Sequence, residues 1–349
     1  MTPAFLDRAG LWFLCSGIQE PGGGVARYYR SDLQKNQAVS TEITGYAASA
    51  LVWLGAQTGD PPYLEAARRA ARFLIAEAWS APLATFPFEL ARNGAPSPPA
   101  YFFDIGIIVR GLLAVWRATG EPEFLDAARD GGRAMRDFLG EGAIHPILSL
   151  PDKLPLPYGE SWSRRPGCYQ LKSAMAWHDL GEEFAGYYET ALARALTPEE
   201  PFLPGAAERE KVMDRLHAYC YFLEGLLPVA ARPECRRALA DGVAQAAHWL
   251  REIAPRFARS DVYAQLLRIR LLAGAAGVVP LDARAAQEEA EALTAFQLAD
   301  KDPRLDGGFS FGRKNGELMP FVNPVSTAFS MQALAMWEQR HTLGRHDLI

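Results

Sequence analysis

Four cysteines in 349 residues, Cys15, Cys168, Cys220 and Cys235, are too few and too scattered for a disulfide framework, and no CxxC-type metal spacing occurs. They read as reduced thiols. Long hydrophobic runs are also missing: the most apolar stretches, near Ile43 to Leu54 and Leu271 to Leu281, fall well short of the ~18 to 20 residues that cross a bilayer. The apolar segment Leu11 to Cys15, behind Asp7 and Arg8, is too short for a secretory leader and has no small-residue cleavage pattern, so a cytoplasmic location is expected. There is no basic excess. The 36 Lys and Arg against 41 Asp and Glu leave a net charge of −5, which gives nucleic acid or an anionic membrane no global field to bind. His145, His248, His341 and His346 have no partners at metal-ligand spacing, and neither a metal nor another cofactor is expected.

What is present begins with an internal repeat. Thr58-Gly59-Asp60-Pro61 returns as Thr119-Gly120-Glu121-Pro122, each followed by an aromatic, Leu, an acid and Ala-Ala-Arg, at an offset of 61 residues from Thr58 to Thr119. Gly suits a left-handed helix end, an acid suits the next helix start, and Pro is tolerated in a first turn, so each copy joins two helices. The helix before the first copy, Ile43 to Leu54, carries no charge and is expected to be buried all round, whereas Pro62 to Ala78 is amphipathic. The second unit repeats this contrast, and degenerate pairs follow. Inner helices open near Thr41, Phe103, Tyr169, Met213, Asp261 and Pro324, with almost no strand-like alternation between them. Units that cannot bury their own apolar face need neighbours on both sides. The pattern predicts an all-α, (α/α)6 toroid of six helical hairpins, a single domain over 1–349 with the N-terminal helix closing the ring against 324–337. The long Gly/Pro segments 82–99, 143–167 and 300–322 are rich in aromatics and are expected to be ordered loops over one mouth.

Phe103-Asp104-Ile105-Gly106, His217-Ala218-Tyr219 with Leu223-Glu224-Gly225-Leu226, Asp306-Gly307-Gly308-Phe309 and the two turn repeats resemble the six-hairpin, (α/α)6-barrel superfamily of carbohydrate-active proteins. That superfamily includes unsaturated glucuronyl hydrolases, other inverting glycosidases, sugar 2-epimerases and toroidal lyases or C5-epimerases. The resemblance implies a substrate cleft at the N-terminal ends of the inner helices. It also implies an acidic role for Asp104, because Phe103 to Gly106 is similar to the HDxG segment of the glucuronyl hydrolases, with Phe103 in place of His. A second Asp is expected at the next inner helix, where Cys168 to Lys172 stands instead. The DxDD and DDxxD motifs of terpenoid cyclases and prenyltransferases and the Cys-His-Gly motif of lanthionine cyclases do not occur.

Glycoside cleavage needs two carboxyls, one to protonate the leaving oxygen and one to act as base or nucleophile. Glu42 and Asp104 open apolar helices, where they serve either as caps or as catalytic groups; Asp104 also fits a plain N-cap. Asp261, Gln265 and Arg268 form a polar stripe on one helix, suited to a cleft or to a buried ion pair. His217 opens an apolar run and is a candidate base, with Tyr46 and Tyr219 as candidate sugar contacts. On the loop 304–313 the aromatic Phe309 and the cations Arg304 and Arg313, with Asp306 and the helix-opening Asn323, complete a substrate-binding set. The expected function is a glycan-active enzyme, foremost a glycoside hydrolase acting on an anionic, uronic-acid-containing oligo- or polysaccharide. The alternatives are a polysaccharide lyase or uronyl epimerase, or a non-catalytic glycan-binding or assembly protein.

Overall fold

The computed structural model describes residues 3–90, 97–197, 209–340 and 348–349. Its helices, in chain order, are α1 (Ala4–Cys15), α2 (Thr41–Thr58), α3 (Pro61–Phe73), α4 (Phe102–Thr119), α5 (Pro122–Ala134) and α6 (Gln170–Leu180). They continue as α7 (Ala185–Leu196), α8 (Arg209–Leu226), α9 (Pro233–Ile253), α10 (Ser260–Ala275), α11 (Ala283–Thr294) and α12 (Pro324–Glu338). Strands among the described residues are two or three residues long and lie between helices. No helix among the described residues is long and apolar enough to cross a membrane.

The even-numbered helices from α2 to α12 are the more buried ones, and their starts match the expected openings except at α8. That helix begins at Arg209, so His217 sits in its third turn rather than at its start. The repeated turns act as their residues dictate. Gly59 and Gly120 take φ of 78° and 72°, and their N–H groups donate to Gly55 O and Trp116 O. Thr58 and Thr119 hydroxyls then accept from Asp60 N and Glu121 N, and Pro61 and Pro122 start the next helices.

The described residues form two compact units. One comprises 17–27 and 36–195 and contains α2 to α6 and most of α7. In it α4 packs against α2, α5 and α6. Two glycines set the spacing: a Cβ on Gly111 would lie 2.4 Å from Gly45 O, and one on Gly106 would lie 2.5 Å from Ser173 O. These backbones meet closely only because those positions lack side chains. The close α2–α4 contact brings the first turns of the two helices, and with them Glu42 and Asp104, together.

The other unit comprises 1–16, 28–35 and 196–349. Within it α8 packs on α9 and α10, α10 packs on α11 and α12, and α1 packs on α12. Phe257–Arg259 pairs with Gly312–Lys314, which pairs in turn with Glu317–Leu318, so the segment leading into α10 is fastened to the loop ahead of α12.

Candidate active site

In the first unit the chain enters α2 through Ser40, whose Oγ accepts from Ile43 N, and Thr41, whose hydroxyl reaches Pro87 O and Phe88 O at 3.1 Å each. Phe88 N donates to Pro99 O, and Ala100–Tyr101 pairs with Ile147–Leu148 just ahead of α4. These links place the segment 85–90 beside the first turns of α2 and α4. Glu42 is half-buried, and Asp104 is only 5% exposed, with Oδ2 lacking any hydrogen-bond partner. Tyr101, not Asp104, occupies the N-cap position of α4, so the cap reading of Asp104 is corrected: it lies in the first turn of the helix.

Burial raises the Glu42 carboxyl to about 7, with Arg27 opposing. Burial also raises Asp104 well above the usual Asp range, the Glu42 charge adds to the rise, and Arg27 again opposes. Asp104 therefore favours its protonated form the more while Glu42 is ionised, because a neighbouring negative charge in a poorly solvated place opposes a second one. Arg27 Nη2 donates to Glu89 Oε1 at 2.5 Å, and its guanidinium lies 4.7 Å above the Phe88 ring. Phe88 and Tyr101 rings meet at 5.0 Å, and Phe103 lies 6.1 Å from Tyr169. The result is an acid pair bordered by the Arg27 cation and several aromatic faces.

In the second unit the charges are arranged differently. Arg259 grips Asp261 with two bonds, Nε to Oδ1 at 3.0 Å and Nη2 to Oδ2 at 2.6 Å, and its Nη1 reaches Asp214 Oδ1 at 2.6 Å. The guanidinium also lies 4.5 Å over the Phe311 ring. Although burial raises the Asp261 carboxyl, the charges of Arg259 and His217 outweigh it and hold the group below its ordinary range. His217 Nδ1 stands 2.7 Å from Gln265 Oε1 and 3.6 Å from Asp261 Oδ2. With Gln265 Oε1 as the acceptor, the proton is assigned to Nδ1 and Nε2 is the unprotonated nitrogen. Burial depresses His217 to about 4, so the ring is neutral at physiological pH. One turn deeper, Arg268 donates to Glu224 Oε1 and to Gln332 Oε1 and lies 3.9 Å over Phe329, with the Arg268 and Glu224 side chains fully buried.

No protein-family model matches the sequence, and a search of curated proteins finds no match. Solved structures do match. The cellobiose 2-epimerase from Spirochaeta thermophila DSM 6192 superposes with a TM-score of 0.71 at 15% identity, over 95% of this chain and 94% of that one. A sugar epimerase from a ruminal bacterium gives 0.70 at 13% identity over 94% and 96%, and a D-mannose isomerase gives 0.67 at 11% over 98% and 100%. The chain has the (α/α)6-barrel fold.

On this barrel fold the expected site residues divide between the two units. Glu42, Asp104 and Tyr46 belong to the first, and Asp261, His217, Tyr219, Gln265, Arg268, Asp306, Phe309, Arg313 and Asn323 to the second. Several of the expected substrate contacts are corrected by burial. Phe309 is fully buried, with its N–H on Thr327 Oγ1, and offers no ring face; the half-buried rings of that loop are Phe311 and Phe321. Arg268 and Gln265 are fully buried and Tyr46 nearly so, so the polar stripe of α10 is internal. Asp261 pairs with Arg259 rather than Arg268.

Tyr219 turns toward α9, where its hydroxyl would lie 3.1 Å from a Cβ on Gly242. Asp306 accepts from Arg8 at 2.6 Å and so fastens α1. Arg304 is held by Asp302, and Arg313 lies 5.5 Å over Phe296. Asn323 is the N-cap of α12, its Oδ1 accepting from Ser326 N at 2.6 Å. His341 and His346 lie outside the described residues. Arg27, Glu89 and Arg259 are the residues that sequence reasoning missed.

Proposed function

We propose that the protein is a saccharide-processing enzyme, acting as one barrel domain, in which Glu42 and Asp104 form the acid/base pair of glycosidic bond hydrolysis. The observation that carries this reading is the pair of raised carboxyls at the openings of α2 and α4, Glu42 raised by burial and Asp104 by burial and the Glu42 charge. Hydrolysis needs one carboxyl protonated and one ionised at the same pH, and two raised carboxyls, one lifted further by the charge of the other, suit that need. Asp104, the more buried of the two, holds the proton and gives it to the departing glycosidic oxygen. Glu42 accepts a proton from the water that attacks the anomeric carbon. Aromatic faces at Phe88 and Tyr101 suit stacking against sugar rings.

A second reading rests on His217. A neutral imidazole whose Nδ1–H is fixed by Gln265 presents Nε2 as a base, which suits proton removal beside a carbonyl or carboxylate, as in epimerase or lyase chemistry. The solved structures with the same fold include sugar epimerases and an isomerase. The two readings separate in one assay. Neutral and uronic-acid oligosaccharides are incubated in D2O and followed for new reducing ends and for deuterium at carbon. Reducing ends lost in Asp104→Asn support hydrolysis, whereas deuterium exchange lost in His217→Gln supports proton abstraction and removes the carboxyl pair from catalysis. Thermal stabilisation by an oligosaccharide with neither product marks a binding protein.

A further inference from the structure

We propose that the Glu89 carboxylate occupies a carboxylate-binding position on Arg27, and that an anionic saccharide binds by displacing it. This deepens the reading of the Glu42 and Asp104 site and rests on it for the location of the substrate.

The Arg27 backbone N–H is fixed to Ala38 O, just ahead of α2. Its side chain stacks on Phe88, whose carbonyl is tied to Thr41, the residue before Glu42. The stack on Phe88 and the Phe88–Thr41 bond set the guanidinium beside the opening of α2, where Glu42 lies, and its charge opposes the rise of both carboxyls. Arg27 engages Glu89 through one bond only, although a guanidinium fork matches a planar carboxylate through two. Both partners are accessible, 35% for Arg27 and 24% for Glu89, and a single-contact pair at that exposure is weak and exchangeable. A uronate would replace like with like, gaining a second bond while Glu89 turns to water. A neutral sugar has no group that repeats this exchange. Tyr101, half-buried against Phe88 and close to Arg27, Glu89 and Arg164, supplies an aromatic face and a polar tip next to the same position.

The test measures binding of trigalacturonate and of maltotriose by calorimetry, in an Asp104→Asn background that suppresses turnover. Glu89→Gln is expected to tighten trigalacturonate about 10-fold and to leave maltotriose unchanged. Arg27→Gln is expected to weaken trigalacturonate at least 10-fold and to abolish the gain from Glu89→Gln in the double variant, since the two effects share one contact. Arg27→Lys keeps the charge and loses the fork, and an intermediate affinity is expected. A gain in Glu89→Gln that persists without Arg27 would reduce Glu89 to a diffuse charge effect and overturn the proposal, as would equal changes for the neutral sugar or no trigalacturonate binding. Failure of the hydrolysis reading looks different: Asp104→Asn would retain turnover whatever the binding results.

Discussion

Two regions of this protein place carboxyls in the first turns of buried helices, and they treat the charge in opposite ways. At Glu42 and Asp104 no cation grips either acid, and the nearby Arg27 is engaged by Glu89, so burial, and at Asp104 also the Glu42 charge, prevails and the protonated form is favoured. At Asp261 an arginine fork grips the acid directly, and the ionised form prevails despite similar burial. Glu224 is likewise held by Arg268. Burial alone therefore does not mark a reactive carboxyl. The partner decides, because a paired acid is locked as a charge and an acid facing another acid retains a transferable proton.

The largest expected effect would break the paired side of that contrast. Glu224→Gln leaves Arg268 charged and fully buried, and urea unfolding should show a loss of about 3 to 5 kcal/mol. A loss below ~1 kcal/mol would show that the pair is not structural. On the other side, Asp104→Asn should lower turnover ~100-fold or more with the melting temperature unchanged or raised. Full activity in that variant would remove Asp104 from the chemistry.

The pH dependence sharpens the contrast, since the two regions slope in opposite directions. Raised folded-state carboxyls bind protons more tightly than the unfolded chain does, so their contribution to stability is present at low pH and declines as pH rises from about 4.5 through about 7. His217, depressed to about 4, contributes stability that is present above about 6.5 and lost as pH falls toward 4. Melting temperatures across pH 4 to 8 should therefore show Glu42→Gln gaining on the wild type as pH rises. His217→Gln should gain on it as pH falls. The same slope in both variants would contradict the assignment. The smallest effect concerns a group read purely as a cap: Asn323→Ala should cost about 1 kcal/mol by removing the Ser326 amide's acceptor, with turnover unaffected.

The helix alternation was legible because local chemistry writes it. The Gly59 and Gly120 turns need a left-handed residue followed by a helix start, and uncharged runs such as Ile43 to Leu54 need burial. Glu42 and Asp104 were legible as polar groups opening such runs. Their electrostatic neighbours were not, since Arg27 pairs with Glu89 across 62 positions and Arg259 with Asp214 across 45, with no local pattern to announce either. Spacing placed Asp261, Gln265 and Arg268 on one face correctly, but helical geometry cannot say which residues of α8 and α12 meet that face. Phe309 was misjudged because a Gly-rich loop reads as exposed. In the structure Gly308 and Phe309 are instead packed inward, a Cβ on Gly308 lying 2.8 Å from Trp12 Nε1.

The hydrolysis proposal turns on Glu42 titrating near 7 and on Asp104 being raised well above its ordinary range, in part by the Glu42 charge. Carbon-13 NMR titration of selectively labelled Glu and Asp side-chain carboxyls, assigned with Glu42→Gln and Asp104→Asn, reads both directly. A Glu42 midpoint near 7 and an Asp104 midpoint well above the ordinary Asp range are expected, the Asp104 midpoint falling when Glu42 is replaced by Gln. Two midpoints near 4, with Asp104 unchanged by loss of Glu42, would contradict it.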